Sequence, residues 1–189
     1  MRGINVNQIQ LRMATCDDAS EILTIYKPYV EHTTITFEYE VPSESEFQNR
    51  IKQTLEKYPY IVAVMQEKIV GYAYASPFKS RPAYSWSVET PIYVAQECRG
   101  HGVGQRLYEA LETLLKRQHI MNVNACITYP NPKSITFHEK QGYQKVAHFS
   151  KCGYKLGQWC DMIWMEKWIG NHPEHPDVIL SINEIDQTF

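Results

Sequence analysis

The sequence lacks any hydrophobic run long enough to cross a membrane. Its longest strongly apolar stretch is Tyr60–Met65, whereas a bilayer-spanning helix needs about 20 apolar residues. The N-terminus also carries no apolar signal core of the kind that directs export. These absences predict a soluble, cytoplasmic protein with no membrane partner.

The chain also lacks an excess of positive charge. It has 19 Lys and Arg against 21 Asp and Glu, which gives a formal net charge of -2. Nucleic-acid binding depends on a field of basic residues that neutralises phosphates. The charge balance therefore argues against nucleic acid as a partner.

Cysteine is scarce, and no two cysteines have CxxC spacing. An odd number of widely scattered cysteines favours neither a disulfide framework nor a zinc site. We therefore expect a reducing cytoplasm and no bound metal. The five residues are Cys16, Cys98, Cys126, Cys152 and Cys160.

Length and composition indicate one domain. The chain has 189 residues, of which 43% are hydrophobic and 21% charged, values typical of a single globular core. No internal repeat is apparent. We expect a polar leader over residues 1–8, one domain over residues 9–169 and a tail over residues 170–189, whose apolar group at 178–182 can dock on the body but has no assignable role.

Strand and helix patterns alternate along the first half. Residues 9–13 predict a strand, Asp17 can cap a helix whose length Pro28 leaves open, and Ser43 with Glu46 forms a capping box for a second helix. That helix should end near residues 58–59. Residues 60–65 and 69–76 then predict an antiparallel hairpin.

The second half continues with one long extended run over residues 84–94, interrupted by Pro91. Since proline cannot donate a ladder hydrogen bond, it indicates an edge or bulge where strands separate. A strong helical stripe covers residues 103–117, and a short helix runs from Asn131 to Gly142. Further strands are expected at 123–128, 143–149 and 161–168. The order predicts an α+β (mixed α/β) fold with a sheet covered by helices.

A glycine-rich loop precedes the strongest helix. Residues 99–104 have the sequence Arg-Gly-His-Gly-Val-Gly. Glycines allow close backbone approach, and the free N–H groups of a first helical turn attract phosphate oxygens. The loop therefore predicts a pyrophosphate cradle, although a tight strand-to-helix turn is the alternative. Its spacing fits neither a Walker loop nor a dinucleotide fingerprint.

Two motifs carry a resemblance to the GNAT superfamily of N-acetyltransferases. Arg99, Gly102 and Gly104 match the coenzyme A signature Arg/Gln-x-x-Gly-x-Gly/Ala. Residues 131–138 (NPKSITFH) with the pair at 142–143 are similar to a later motif of the same superfamily. The resemblance implies a twisted, mainly antiparallel sheet flanked by helices, with a splayed strand pair that receives acetyl-CoA.

Over residues 9–168 the chain most resembles the phosphinothricin and methionine sulfoximine acetyltransferase family, which implies a homodimer. Pro91 and Cys160 depart from that family's pattern. The strings that carry the resemblance are TTITFE (33–38), GYAYASPF (71–78), RPAYSWSVETPIYV (81–94), SITFHEKQG (134–142) and GYKLGQWCD (153–161).

The resemblance implies two catalytic residues. Acetyl transfer to an amine needs a base for the nitrogen, stabilisation of the thioester oxygen and a proton for the departing thiolate. Glu89 would be the base, directly or through water, and His138 would supply the proton. From the residues alone, Glu89 can equally be a solvent-facing strand residue, and His138 a half-buried helix residue.

The resemblance also implies the coenzyme contacts. A backbone N–H in the segment Ile92, Tyr93 and Val94 would meet the thioester oxygen. Asn131 would bond the pantetheine arm or act only as a helix cap, and Ser134 would lie nearby. The diphosphate would be held by Arg99, Gly100, His101, Gly102, Val103 and Gly104.

For the acceptor, Arg81 with neighbouring Lys79 offers positive charge for a carboxylate or phosphinate. Phe37, Glu38 and Tyr84 would shape the acceptor pocket, with Glu38 facing the ammonium group. Tryptophan normally packs, so core or interface positions are expected for Trp86, Trp159, Trp164 and Trp168.

Together these features predict an acetyl-CoA-dependent N-acetyltransferase that modifies the α-amino group of a small amino acid analogue by direct transfer in a ternary complex, without a metal. Two alternatives stay open. One is the same chemistry on an ordinary amino acid, a polyamine or a peptide N-terminus. The other is an acetyl-CoA-binding regulator that lacks turnover.

Overall fold

The computed structural model describes residues 9–189, so the expected leader at 1–8 lies outside the described residues. The helices are α1 (Ala19–His32), α2 (Glu44–Leu55), α3 (Val103–Arg117) and α4 (Pro132–Lys140). The strands are β1 (Gln10–Met13), β2 (Tyr60–Met65), β3 (Lys68–Tyr74), β4 (Ser76–Pro77), β5 (Ser87–Glu89), β6 (Ile92–Val94), β7 (Asn122–Tyr129), β8 (Gln144–Lys155) and β9 (Gln158–Trp168). None of the helices within 9–189 is long and apolar enough to span a membrane.

The strands form two ladders, in the orders β1-β2-β3-β6 and β4-β5-β7-β9-β8. The pairing of β5 with β7 is parallel, and the other pairings are antiparallel. This confirms the expected mixed, mainly antiparallel sheet flanked by helices. The ladders separate between β6 and β7, because β7 pairs with β5 only at residues 87–89 while β6 pairs with β3.

Strand β2 shows why helices cover both faces. Side chains alternate between the two faces of a strand, and Ile61 and Ala63 belong to the core that contains α3. Tyr60 and Val62 belong to a second core that contains the buried faces of α1 and α2. The helix α2 begins at the predicted cap, where the Ser43 side chain accepts the Glu46 N–H.

The expected strand over 84–94 is broken in two. A short 3-10 turn occupies Pro82–Tyr84, and β5 and β6 are separated at Thr90 and Pro91. Pro91 accepts a hydrogen bond from Tyr74 N at 3.2 Å but has no N–H to return to the ladder. The break is therefore where the sheet opens, as the position of the proline predicts.

Two element boundaries differ from expectation, and the length of α1, which the sequence left open, is now defined. Helix α1 continues past Pro28 to His32, because residues on both sides of the proline, Ile25, Tyr29 and Val30 among them, are buried in the core. Helix α2 ends at Leu55, earlier than expected. The closing hairpin is longer than expected, since β8 resumes after an irregularity between Phe149 and Gly153.

The tail packs against the body. Ile182 is buried in the main core, and its N–H donates to Lys57 O at 3.0 Å. The Gln118 side-chain amide donates to Lys57 O and to Leu180 O, at 2.7 and 2.8 Å. Trp86 Nε1 donates to the carbonyl of Asp177 at 2.8 Å. The tail thus joins the ends of α2 and α3 to the loop before β5.

Candidate functional site

A cavity of about 280 Å³ lies where the two ladders separate. We call it the splay cavity. It brings together seven of the residues that the sequence singles out, from four separate parts of the chain. These are Phe37, Glu89, Ile92, Tyr93, Asn131, Ser134 and His138.

Glu89 is the last residue of β5 and pairs with Ser76 of β4. Burial raises the pKa of its carboxyl group, and the positive charge of Lys79 opposes that shift. A carboxylate with a raised pKa is a better proton acceptor near neutral pH than an exposed one. The position and the pKa shift both suit a general base.

His138 lies on α4 and is only 3% exposed. Burial lowers its pKa to about 4, although the hydrogen bond with Ser134 opposes the shift. Its Nδ1 lies 2.8 Å from Ser134 O, which can only accept a hydrogen bond. The imidazole is therefore neutral with its proton on Nδ1, and Nε2 carries a lone pair.

Tyr108 is a site residue that the sequence analysis missed. Its hydroxyl lies 2.9 Å from His138 Nε2 and 2.7 Å from Thr90 O, and its side chain lines the splay cavity. Tyr143 completes the cluster through a 3.1 Å contact with Thr90 Oγ1. The available signal was a hydroxyl group on the apolar stripe of α3, four residues after Gly104.

The glycine loop forms the expected turn into a helix. Gly100 and Gly102 have φ values of 79° and 78°. Residues other than glycine rarely adopt this backbone conformation. The first helical hydrogen bond runs from Arg106 N to Gly102 O, so the N–H groups of residues 103–105 have no acceptor within the helix. These N–H groups lie at the position where the motif predicts an anion site.

The packing around this loop determines which of its groups can face a ligand. Val103 is buried in the core, so only its backbone can face a ligand. A Cβ atom on Gly104 would lie 3.2 Å from the Phe137 ring, which explains the absence of a larger residue there. The Arg99 guanidinium lies 4.9 Å from the centre of the Tyr29 ring.

The backbone of β6 is less free than expected. Val94 N–H donates to the Tyr29 hydroxyl at 3.2 Å, and that hydroxyl donates to Val94 O at 2.6 Å. In the antiparallel ladder with β3, successive residues face alternate sides. Ile92 therefore turns its backbone groups towards the opening, as Val94 does, and is the better candidate to meet a ligand.

Residues 36–38, in the loop between α1 and α2, include two of the predicted acceptor residues and are held in place by contacts from several elements. The Glu38 carboxylate accepts from the Tyr26 hydroxyl at 2.9 Å and pairs with Arg50 at 2.7 Å. Lys155 Nζ donates to Thr36 O at 2.7 Å. The Phe37 ring packs so closely on Gly153 that a Cβ atom there would clash with it.

Three predicted acceptor residues do not line the splay cavity: Glu38, Arg81 and Tyr84. Arg81 is exposed at the start of the 3-10 turn. Lys79 lies over the Phe78 and Trp164 rings, at 4.7 and 5.1 Å.

Among the tryptophans, Trp86 and Trp164 are half-buried. Trp159 and Trp168 are 62% and 66% exposed, so neither is a core residue of this chain. All five cysteines are free thiols. Residues 9–189 contain no group of three or more His, Cys, Asp or Glu side chains that could hold a metal ion.

Comparison with known proteins agrees with this geometry. Residues 11–164 match the acetyltransferase (GNAT) domain family. The phosphinothricin N-acetyltransferase of Streptomyces viridochromogenes is 32% identical over 169 residues, which cover 89% of this chain and 92% of that protein. The L-methionine sulfoximine/L-methionine sulfone acetyltransferase of Salmonella typhimurium is 27% identical, covering 86% of this chain and 95% of that protein.

A solved structure supports the same family assignment. The GNAT superfamily phosphinothricin acetyltransferase from Sinorhizobium meliloti, in complex with acetyl-CoA, superposes with a TM-score of 0.83 at 33% identity, covering 86% of this chain and 89% of that one. GNAT acetyltransferases use acetyl-CoA, which confirms the predicted coenzyme and enzyme class. The chain belongs to the GNAT family of acetyltransferases.

Proposed function

We propose that this protein transfers the acetyl group of acetyl-CoA to the α-amino group of a small amino acid or analogue, such as phosphinothricin or methionine sulfoximine. Transfer is direct, within a ternary complex. The observation that carries the proposal is the convergence of Glu89, the His138–Tyr108 pair and the free edge of β6 on one cavity. The anion site at the start of α3 belongs to the same arrangement.

Glu89 removes the proton from the acceptor amine, directly or through a water molecule. Its half-buried carboxylate, with a pKa raised by burial, supports this role. The Ile92 N–H faces the thioester oxygen. Because His138 is neutral with its lone pair on Nε2, the Tyr108 hydroxyl bonded to it gives its proton to the thiolate of the coenzyme and then regains a proton from solvent. Asn131 and Ser134 border the pantetheine arm.

The backbone amides before the first hydrogen bond of α3 hold the diphosphate, with Arg99 beside them. Asn131 also acts as the cap of α4, because its side chain accepts the Ser134 N–H at 3.2 Å. The cap fixes the start of the helix that carries His138. The alternative roles that the sequence left open for Asn131 are therefore compatible.

On the acceptor side, we assign Lys79 and Arg81 to the carboxylate of the amine substrate. Lys79 supports the assignment most directly, because its charge acts on the Glu89 carboxyl group. Arg81 lies two residues away on the exposed loop. Phe37 forms one wall of the cavity, and Glu38 acts mainly by fixing Tyr26 and Arg50.

We also propose a homodimer formed through the β8–β9 hairpin. Phe149, Leu156 and Trp159 are 47%, 56% and 62% exposed, and β8 is an edge strand. Exposed apolar clusters on an edge strand favour association. The five free thiols fit a reducing cytoplasm, which is the compartment we propose.

The function is tested by the release of free coenzyme thiol from acetyl-CoA in the presence of candidate amines. The panel contains phosphinothricin, methionine sulfoximine, methionine sulfone, common amino acids and polyamines. We expect release with the amino acid analogues and little with polyamines. Preferential release with polyamines would favour the alternative acceptor, and acetyl-CoA binding without release would favour a regulator.

A further inference from the structure

A second cavity, of about 460 Å³, lies between α2 and the sheet. We call it the tyrosine cavity because six tyrosines line it, together with Phe47, Arg50 and residues at the end of α2. The tyrosines are Tyr26, Tyr58, Tyr60, Tyr72, Tyr74 and Tyr93. It is larger than the splay cavity.

The two cavities share a wall. Tyr93 lines both of them. Ser76, which lines the tyrosine cavity, is the cross-strand partner of Glu89 in the splay cavity. The tyrosine cavity therefore begins one side chain away from the carboxylate that we assign to the amine.

The walls of the tyrosine cavity offer hydroxyl groups that are uncharged. Burial raises the pKa of Tyr60 and Tyr72 well above the ordinary value, and that of Tyr74 to about 12. The rings of Tyr60 and Tyr74 are stacked, with centres 4.8 Å apart. Each phenol keeps its proton at neutral pH and can both donate and accept a hydrogen bond.

Arg50 does not give this cavity a cation to pair with an anionic ligand. Its guanidinium is held by Glu38 at 2.7 Å and by Glu46 at 2.5 Å. Moving an anion from water to a site without a matching cation is costly. Lys57 also lines the cavity, but it is exposed and its ammonium group lies over the Tyr58 ring, 5.3 Å from the ring centre. The buried walls around Tyr60 therefore suit a neutral ligand.

The Tyr60 hydroxyl is the feature that calls for a ligand. Tyr60 is 2% exposed, and its hydroxyl is one of two buried side-chain polar atoms in residues 9–189 without a hydrogen-bond partner. Buried polar groups are normally paired, since an unpaired one destabilises the fold. A polar atom of a ligand in the cavity would supply the partner.

We propose that the tyrosine cavity receives the side chain of the amine acceptor, and that it selects uncharged side chains with a hydrogen-bonding oxygen or nitrogen. This inference rests on the proposed function, because it places the amine at Glu89. It ranks the candidate acceptors: sulfoximine and sulfone side chains should be favoured over the anionic phosphinate. A thioether side chain of the same length would leave Tyr60 without a partner.

The test compares L-methionine sulfone with L-methionine, which differ only by two side-chain oxygens, in the wild type and in Tyr60→Phe. We expect Tyr60→Phe to lower kcat/KM for the sulfone about 5- to 10-fold through KM, the cost of one hydrogen bond. The values for methionine and the KM of acetyl-CoA should change less than about twofold. Tyr154→Phe, on the exposed hairpin, is the matched control and should change none of them.

Three results would overturn the inference while leaving the proposed function intact. They are equal losses for sulfone and methionine in Tyr60→Phe, no loss for either, and a wild type that prefers phosphinothricin to the sulfone. A wild type that acetylates no amine would overturn both proposals. Because the hydroxyl has no partner in the protein, Tyr60→Phe should melt no lower than the wild type, which checks its folding.

Discussion

The hydroxyl oxygen of Tyr108 lies 2.9 Å from Nε2 of His138. The same hydroxyl reaches Thr90 O at 2.7 Å, at the point where β5 and β6 separate. A tyrosine hydroxyl has one proton, so it can donate to only one of these acceptors at a time. The imidazole and the break in the sheet are therefore linked through a single proton that can move between two hydrogen bonds.

Tyr108→Phe removes this link. We expect kcat to fall about fivefold, because a hydrogen bond of this kind contributes about 1 kcal/mol, while the KM for acetyl-CoA changes little. Steady-state thiol release measures both constants. Tyr143→Phe is the comparison: the Tyr143 hydroxyl bonds Thr90 and Tyr108 but does not contact His138, so the effect of its removal on kcat should be smaller. Equal effects of the two variants on kcat would contradict the role of Tyr108.

The buried imidazole should make folding depend on pH. The pKa of His138 is lowered from 6.5 to about 4, so the unfolded chain takes up a proton at a higher pH than the folded protein does. The resulting contribution to the free energy of unfolding amounts to about 3 kcal/mol. It is fully present above pH 6.5 and is lost as the pH falls towards 4. Urea unfolding at pH 7.5, 5.5 and 4.5 should show a shallower decline for His138→Gln than for the wild type. Parallel declines in the free energy of unfolding of the two proteins would contradict this effect of His138.

The glycine loop can be tested with a pair of backbone-matched variants. Gly102 and Gly157 have φ values of 78° and 76°, so alanine strains the backbone at both by about 1 kcal/mol. Gly102 caps α3, whereas Gly157 lies in the turn between β8 and β9. We expect similar stability losses but a rise of about tenfold in the acetyl-CoA Kd only for Gly102→Ala. Calorimetric titration measures the Kd, and an unchanged value for Gly102→Ala would exclude the loop as the diphosphate site.

The proposed dimer predicts different results for two exposed tryptophans. Trp159 lies at the hairpin, and Trp168 lies at the far end of β9, paired with Asn122. Trp159→Ala should weaken the dimer by about 2 kcal/mol, the cost of truncating a large aromatic residue at the centre of an interface. Trp168→Ala should leave the dimer intact. Light scattering across a dilution series distinguishes them, and a monomeric wild type would remove the dimer from the account.

Much of the fold could be predicted because its strongest signals are local. The apolar stripe of α3 and the hairpin of β2 and β3 are both encoded by the spacing of apolar residues within short segments. The break at Pro91 follows from the chemistry of one residue. The extension of β8 could not be predicted, because the irregularity between Phe149 and Gly153 interrupts the alternation of the strand.

The site was predicted where a motif names its residues, and missed where its residues resemble core. Glu89, Asn131 and His138 meet in one cavity, as their motifs suggest. Tyr108, Tyr60 and Tyr72 occupy regular positions on a helix or strand, where an aromatic residue normally indicates packing. The pairing of Glu38 with Arg50 joins a loop to a separate helix, and no local pattern encodes such a contact.

The most direct test is the rate of coenzyme thiol release by the wild type and by Glu89→Gln, measured from pH 6 to pH 10 with methionine sulfoximine. Burial raises the pKa of Glu89, so on lowering the pH the wild-type rate should begin to fall at a higher pH than it would with an exposed carboxyl group as the base. Loss of a general base costs at least about 100-fold. We expect that loss near neutral pH, where the amine arrives protonated, and a smaller loss at pH 10, with acetyl-CoA affinity unchanged. Equal rates for the two proteins at every pH would contradict the account.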